Sequence, residues 1–395
     1  MKIILDGMGG DHAPNAIIDG AVQALAEYPE LEIAVTGPVD RLRSLLPNAA
    51  DLNRIELVPA EEVVQMDDEP VRAVREKKDS SLVRAFDLLA AHPDAMLISA
   101  GNTGALVAGA MLLIQRIPGV KRPALAPVIP TRSGMAVLID GGANAECKPL
   151  YLAQFGVMGS VFMQKVYGVP DPRVALVNNG SEPGKGTPLT RDAYKLLQKA
   201  PIRFVGNVEG RDLLSGQFDV LVTDGFTGNI LLKFTEGCTK TLLNLLRQEI
   251  DESLTAKLGA LLMKDAFGRL RTRMDYKEYG GALLLGVHGG VMKAHGSSDG
   301  QAICAAISTA RSFLTGNVVN SIEADIRVLE EQFPRKPESP RSKDAAKGSE
   351  KAERSHTGRK RNYDDKRAKG AAKADRSHEA ASSRKKKNAS AKESK

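Results

Sequence analysis

Short, continuous apolar runs, each closed by a polar turn and followed by a helical stretch, fill most of the first 230 residues. The candidate strands are Ile3 to Asp6, Ile33 to Thr36, Ile55 to Val58, Ala95 to Ser99, Ala136 to Asp140, Arg173 to Asn178, Arg203 to Val205 and Val220 to Thr223. Strands apolar on both faces need cover on both sides, which predicts an α/β fold with a mostly parallel sheet between helices. In that architecture ligands bind beyond the C-terminal ends of the strands, so the loops there are the first place to search. No internal sequence repeat accompanies the alternation.

The first such loop is in "KIILDGMGGDHAP", residues 2–14. A dinucleotide fingerprint needs three glycines spaced G-x-G-x-x-G. Gly7 and Gly9 fit, but His12 occupies the third position, and the next strand runs into Thr36-Gly37-Pro38 with no acid to hold a ribose. A strand, a tight loop and a helix from Pro14 remain, and a plain turn satisfies the stretch as well as a ligand loop does. "LISAGNTGALVAGAMLL" sets Ser99, Gly101, Asn102, Thr103 and Gly104 between a strand and a small-residue helix, a place where free N–H groups suit an anion. "LIDGGANAECKP" offers Asp140, Gly141, Gly142, Asn144 and Lys148, and "DVLVTDGFTGNILLK" offers Asp224, Gly225, Thr227, Gly228, Asn229 and Lys233. Capping chemistry explains any one of them alone; three at equivalent strand ends point to a shared polar site.

Charge is unevenly placed. The chain carries +7, but residues 335–395 hold roughly +12 and residues 1–334 roughly −5. The basic segment, ending in Arg384-Lys385-Lys386-Lys387, has too few large apolar residues to fold alone and is expected to be a disordered tail after a 1–334 catalytic domain. Solvated contact with polyanions is expected of it, without specific nucleic-acid recognition. No run approaches the roughly 18 apolar residues of a membrane span and no signal peptide precedes the first strand, so a cytoplasmic location is expected. Cys147, Cys238 and Cys304 are widely spaced with no C-x-x-C, which supports neither a disulfide framework nor a zinc site.

Three motifs fail on mechanics. "GSEPGKGT" has three residues between Gly180 and Gly184 where a P-loop has four, and Gly186 follows Lys185 in place of Ser or Thr, although Lys185 is still placed to meet an anion. "GSSDG", residues 296–300, matches a nucleophile elbow at Ser298, but only His356 and His378 follow it, so its serines are expected to cap the helix near Asp299. His288 and His295 fit no metal spacing, so no metal is expected; His295 serves equally as a site residue or as a structural hydrogen bonder.

Taken together and in order, "DGMGGDHAP", "SAGNTGA", "DGGANAECKP", "GSEPGKG", "NVEGRD", "TDGFTGNILLK" and "YGG" through "HGSS" resemble the acyl-ACP:phosphate acyltransferase family of bacterial phospholipid synthesis, over roughly residues 1–330. Pro183 after Glu182 departs from the family's usual second acid. The resemblance implies a three-layer sandwich similar to the isocitrate dehydrogenase and phosphotransacetylase fold, a homodimer, and transfer of a fatty acyl group from acyl carrier protein (ACP) to inorganic phosphate. It implies no cofactor, and a membrane glycerol-3-phosphate acyltransferase as consumer of the acyl phosphate. A short-chain phosphotransacylase acting on acyl-CoA is the nearest alternative, and a nicotinamide-dependent dehydrogenase a more distant one.

Phosphate is a competent nucleophile and a thiol with a pKa near 8.5 a good leaving group, so this chemistry asks for positioning and oxyanion stabilisation, not a covalent enzyme nucleophile. From their positions in the loops, Asn102, Thr103, Gly104 and Lys185 are expected to hold phosphate, Asn229 and the N–H groups near Gly228 to face the thioester oxygen, Asp224 or His12 to handle the proton, and Arg211 to add positive charge. Asp6, Gly9, Gly10, Ser99, Asp140, Asn144, Lys148 and His295 complete the expected substrate-binding set. A helical segment over about 240–275 is basic and amphipathic, with Leu258, Leu261, Leu262, Phe267 and Leu270 at helical spacing among Lys257, Lys264, Arg269, Arg271 and Arg273. Such a helix suits an anionic membrane surface or a dimer interface equally; the resemblance favours peripheral attachment to the inner face of the membrane.

Overall fold

The computed structural model describes residues 1–47, 53–274 and 280–333. The basic tail lies outside the described residues, as do Tyr279 of the "YGG" motif and the side chains of Arg271 and Arg273. The first half of the chain runs β1 (Lys2–Asp6), α1 (Asn15–Glu27), β2 (Glu32–Gly37), α2 (Val39–Arg43), β3 (Ile55–Pro59), α3 (Pro70–Glu76), α4 (Ser81–Ala91), β4 (Met96–Ser99), α5 (Thr103–Gly109), β5 (Ala124–Thr131), β6 (Gly134–Ile139) and α6 (Pro149–Tyr167). The second half runs β7 (Arg173–Asn178), α7 (Pro188–Leu197), β8 (Arg203–Glu209), β9 (Val220–Val222), α8 (Gly225–Asp251), α9 (Leu254–Leu262), α10 (Lys264–Met274), β10 (Ala282–Leu285), β11 (Gly290–Lys293), α11 (Gly300–Thr315) and α12 (Val318–Gln332).

All strands lie in one sheet of order β3-β2-β1-β4-β11-β10-β5-β6-β9-β7-β8. Successive β1 side chains face opposite layers: Ile3 and Leu5 pack with α1, α6, α11 and α12, and Ile4 packs with α4 and α5. Burying each such Leu or Ile contributes about 1.5–3 kcal/mol, and cover on both faces gives the expected three layers. The ladders are parallel except β10 with β11, β10 with β5, and β5 with β6. The sheet therefore contains two parallel runs of opposite direction, β3-β2-β1-β4-β11 and β6-β9-β7-β8, joined through β10 and β5.

Every expected strand forms, with ends shifted by a few residues; β5, β10 and β11 were not anticipated. The sequence of β5, "ALAPVIPT", holds two prolines, which ordinarily argue against a central strand. Here Ala124–Pro127 pairs with β10 and Val128–Thr131 pairs with β6, so each half has a strand neighbour on one side only. A missing N–H is tolerated there. Two smaller corrections concern caps: α1 begins at Asn15 with Pro14 at its cap position, and Asp299, not a serine, caps α11 by accepting from the Ala302 N–H.

Two buried carboxylates hold the loops at the strand ends. Asp6, at the end of β1, accepts from the hydroxyls of Ser81 and Ser99 and from the Met8 N–H. Asp140, just past β6, accepts from the Leu125, Gly142, Ala143 and Asn144 N–H groups and from the Asn144 side-chain amide. Burial pushes both carboxyls above their ordinary range while these hydrogen bonds pull them back. Glycines allow the close approach: a Cβ on Gly9 would lie 2.6 Å from Asp6 Oδ2, and one on Gly228 1.9 Å from the Asp140 carbonyl oxygen.

Replacing Asp140 with alanine leaves several buried N–H groups without an acceptor, each costing about 1–3 kcal/mol. Urea unfolding of Asp140→Ala is expected to show a loss of at least about 3 kcal/mol relative to wild type. An unchanged midpoint would show that the loop stands without its carboxylate.

Candidate active site

The two opposed parallel runs bring their C-terminal ends to the same stretch of β5, and a cavity of about 360 Å³ opens there. Asp11 from the β1 loop, Thr103 at the start of α5, and Lys293, His295 and Ser297 at the end of β11 form one side; Asn229, Lys233 and Glu236 from the first turns of α8 form the other. Leu125, Pro127 and Val128 of β5 floor the cavity. A second cavity of about 520 Å³ adjoins it, between Val128, Ile129 and Pro130 and the α8 residues Leu232, Thr235, Thr239, Lys240 and Leu243. The two share Val128, Leu232, Lys233, Glu236, His295 and Ser297, so the chamber continues into a groove along α8 that mixes the apolar Val128, Ile129 and Leu243 with Thr235, Thr239 and Lys240.

The chamber's charges are arranged in detail. Lys233 Nζ bonds Glu236 Oε2 at 2.9 Å. Lys293 Nζ donates to the carbonyls of Ala100 and Ala294 at 3.0 and 2.6 Å, tying the β4 and β11 loops together. Burial lowers the Lys293 pKa to about 8, with Lys233 adding to the effect and Asp6 and Asp11 opposing it. His295 Nδ1 accepts from the Ser297 N–H, so the neutral ring carries its proton on Nε2. Burial and then Lys233 push the imidazole below its ordinary range.

Of the residues singled out from sequence, Thr103, Gly141, Asn229, Lys233 and His295 line this chamber. Asp6, Ser99, Asp140 and Asn144 lie behind it in the buried networks. Asn102 caps α5 through the Ala105 N–H and holds the carbonyls of Gln65, Met66 and Asp68. Asp224 caps α8 by accepting from the Thr227 N–H and hydroxyl. Gly9, Gly10, Gly104 and Gly228 are points of close approach between loops, Gly104 against Pro70. The remaining four are exposed and line neither cavity. His12 lies in the β1 loop and Lys148 at the start of α6. Lys185 Nζ is 4.0 Å from Glu182, and Arg211 pairs with Glu209 and Asp212. His288 is exposed in the β10–β11 turn, away from His295.

Sequence reasoning left out Asp11, Glu236, Ser297 and Lys293. The signal for Lys293 was a lysine closing the apolar run "GVM" immediately before "AHGSS", but β11 itself went unrecognised. Among the described residues, no group of three or more His, Cys, Asp or Glu side chains is placed to hold a metal ion. The thiols of Cys147 and Cys304 are pushed up by burial to about 12 and about 11, which leaves neither as a ready nucleophile.

Comparison with known proteins decides the family. The family described as "Fatty acid synthesis protein" matches residues 1–321. A phosphate acyltransferase from Exiguobacterium sp. is 46% identical over 326 residues, which is 82% of this chain and 98% of that protein. The chain belongs to the phosphate acyltransferase family. A second phosphate acyltransferase, from Clostridioides difficile, is 44% identical over 334 residues, 84% of this chain and 98% of its own length. The chain is thus an acyltransferase, matched along nearly the whole of its relatives. Among solved structures, the EutD phosphotransacetylase from Staphylococcus aureus superposes with a TM-score of 0.49 at 17% identity, over 79% of this chain and 94% of that one.

The depressed His295 fixes a pH dependence in this acyltransferase. An unfolded imidazole titrates near about 6.5 and the folded ring below it, so its contribution is present above that value and lost as pH falls through the folded pKa. The urea midpoint of wild type is expected to fall more between about pH 7 and about pH 5 than that of His295→Gln. Equal falls would contradict a depressed ring.

Proposed function

We propose that the protein transfers a long-chain fatty acyl group from acyl-ACP to inorganic phosphate, releasing acyl phosphate and free ACP for phospholipid synthesis. The observation that carries this reading is a chamber of ammonium, imidazole and amide donors that continues along α8 past Val128, Ile129 and Leu243, in a chain 46% identical to a phosphate acyltransferase. A phosphate oxygen attacks the thioester carbonyl carbon, the C–S bond breaks, and the thiol leaves with a proton. No covalent acyl-enzyme is required, consistent with the raised pKa values of Cys147 and Cys304. Asn229 and the Nε2–H of His295 supply donors for the developing oxyanion. The acyl chain follows the groove past Val128, Ile129 and Leu243.

The same reading places the protein in the cytoplasm, held to the anionic inner face of the membrane and acting as a homodimer. The apolar residues of α9 support it, since Leu254 and Leu262 are 86% and 83% exposed and Leu258 and Leu261 are exposed beside them. Phe267 on α10, expected to share this face, is half-buried. Among the described residues no single helix is long and apolar enough to cross a membrane, so attachment is by the helix surface. Ile230, Phe234, Leu242 and Leu245 of α8, all exposed, provide apolar surface for a second copy. A membrane glycerol-3-phosphate acyltransferase is the consumer of the product, because a labile long-chain acyl phosphate is best handed on at the bilayer.

Purified protein with long-chain acyl-ACP is expected to release free thiol and hydroxylamine-reactive acyl phosphate in equal amounts, only when orthophosphate is present. Release without phosphate, or none, rejects the transacylase reading; preference for short acyl-CoA supports the alternative donor. Flotation with vesicles containing anionic lipid is expected for wild type and is strongly reduced in Leu261→Glu/Leu262→Glu. Unchanged flotation would exclude α9 as the anchor.

A further inference from the structure

We propose that Lys293 is the seat of the phosphate co-substrate, bound through the one ammonium N–H that the protein leaves uncommitted. The inference rests on the transacylase reading above and assigns its anion site to the end of β11, not to the Lys185 loop.

The chamber is lined by two lysines and two carboxylates. Lys233 and Glu236 satisfy each other at 2.9 Å. Lys293 has no carboxylate within 4 Å among the described residues, and its two bonds go to neutral carbonyl oxygens. An ammonium has three donors, so one remains. A partly buried cation whose direct bonds go only to carbonyls, with Asp6 and Asp11 acting on it as charges and not as bonded partners, is costly, and an anionic ligand offsets that cost. The two carbonyls also fix the direction of Nζ, because Ala100 belongs to the loop after β4 and Ala294 follows β11 itself. The ammonium is therefore aimed before phosphate arrives. Its lowered pKa has the same physical origin in burial and leaves it mainly charged at neutral pH. Lys185, by contrast, is exposed beside Glu182 and lines neither cavity.

Lys293 also joins two loops, so the test must separate anion binding from loop support. Steady-state kinetics and thermal melts with added inorganic phosphate are measured for wild type, Lys293→Met, Lys293→Gln and Lys185→Ala. Loss of one charge-assisted hydrogen bond predicts a KM for phosphate about tenfold to a hundredfold higher in Lys293→Met, with the KM for acyl-ACP unchanged. The phosphate-induced rise in Tm seen in wild type disappears with it. Lys293→Gln, which keeps an amide N–H for a loop carbonyl, is expected to show the same selective loss and decides the matter if the methionine variant does not fold. A normal phosphate KM or a retained thermal shift in a folded Lys293 variant overturns the assignment, as does a selective phosphate defect in Lys185→Ala alone. If wild type forms no acyl phosphate at all, the transacylase reading fails; if wild type forms it and the Lys293 variants bind phosphate normally, only the assignment to Lys293 fails.

Discussion

The architecture depends on one strand serving two sheets' worth of neighbours. β5 pairs with β10 through its first half and with β6 through its second, so the two parallel runs approach it with opposite direction. In a simple parallel sheet the C-terminal ends of all strands lie along one edge. Here reversal through β10 and β5 turns the loops after β1, β4 and β11 toward those after β6 and β9. The chamber is a consequence of that reversal.

Most of the polar residues at those strand ends build the loops before any substrate is considered. Asp6 and Asp140 are alike in following an apolar strand and being buried; Asp6 gathers the distant hydroxyls of Ser81 and Ser99, and Asp140 gathers the N–H groups of its own following loop and of Leu125 on β5. Asn102 and Asp224 cap the helices that leave their loops. Glycine at positions 9 and 228 lets neighbouring backbone come within a distance no side chain permits. The residues facing the chamber are one layer further out: Thr103 follows Asn102, Asn229 lies one turn into α8 from Asp224, and Lys293 and His295 bracket the end of β11.

The layered α/β fold was legible because continuous apolar runs admit few alternatives, and the loops were legible because strand ends carry polar residues in that fold. What escaped was set by tertiary context. β5 hid behind Pro127 and Pro130, which are tolerated only because each half of the strand lacks one neighbour. β10 and β11 are four residues each, too short for a clear pattern. With β11 missed, Lys293 had no strand end to mark it. Conversely, Lys185 and Arg211 drew attention as cations in glycine-bearing loops, yet β7 and β8 lie at the far edge of the sheet, where those loops remain exposed. A motif identifies a loop's chemistry; only the strand order decides which loops meet.

Helix α8 links the chamber to an exposed apolar surface. Its first turn is fixed by Asp224 and by the buried Gly225 and Gly228, and its next two turns supply Asn229, Lys233 and Glu236. Between and beyond them Ile230, Phe234, Leu242, Leu245 and Leu246 are exposed, although large apolar side chains gain from burial. This 27-residue helix of about 40 Å, fully buried only at its first turn, walls the chamber at one end and carries exposed apolar side chains along the rest. The residues that face the chamber and those that face solvent therefore alternate on one helix, because a period of 3.6 puts Asn229, Lys233 and Glu236 on a different side from Ile230, Phe234 and Leu245.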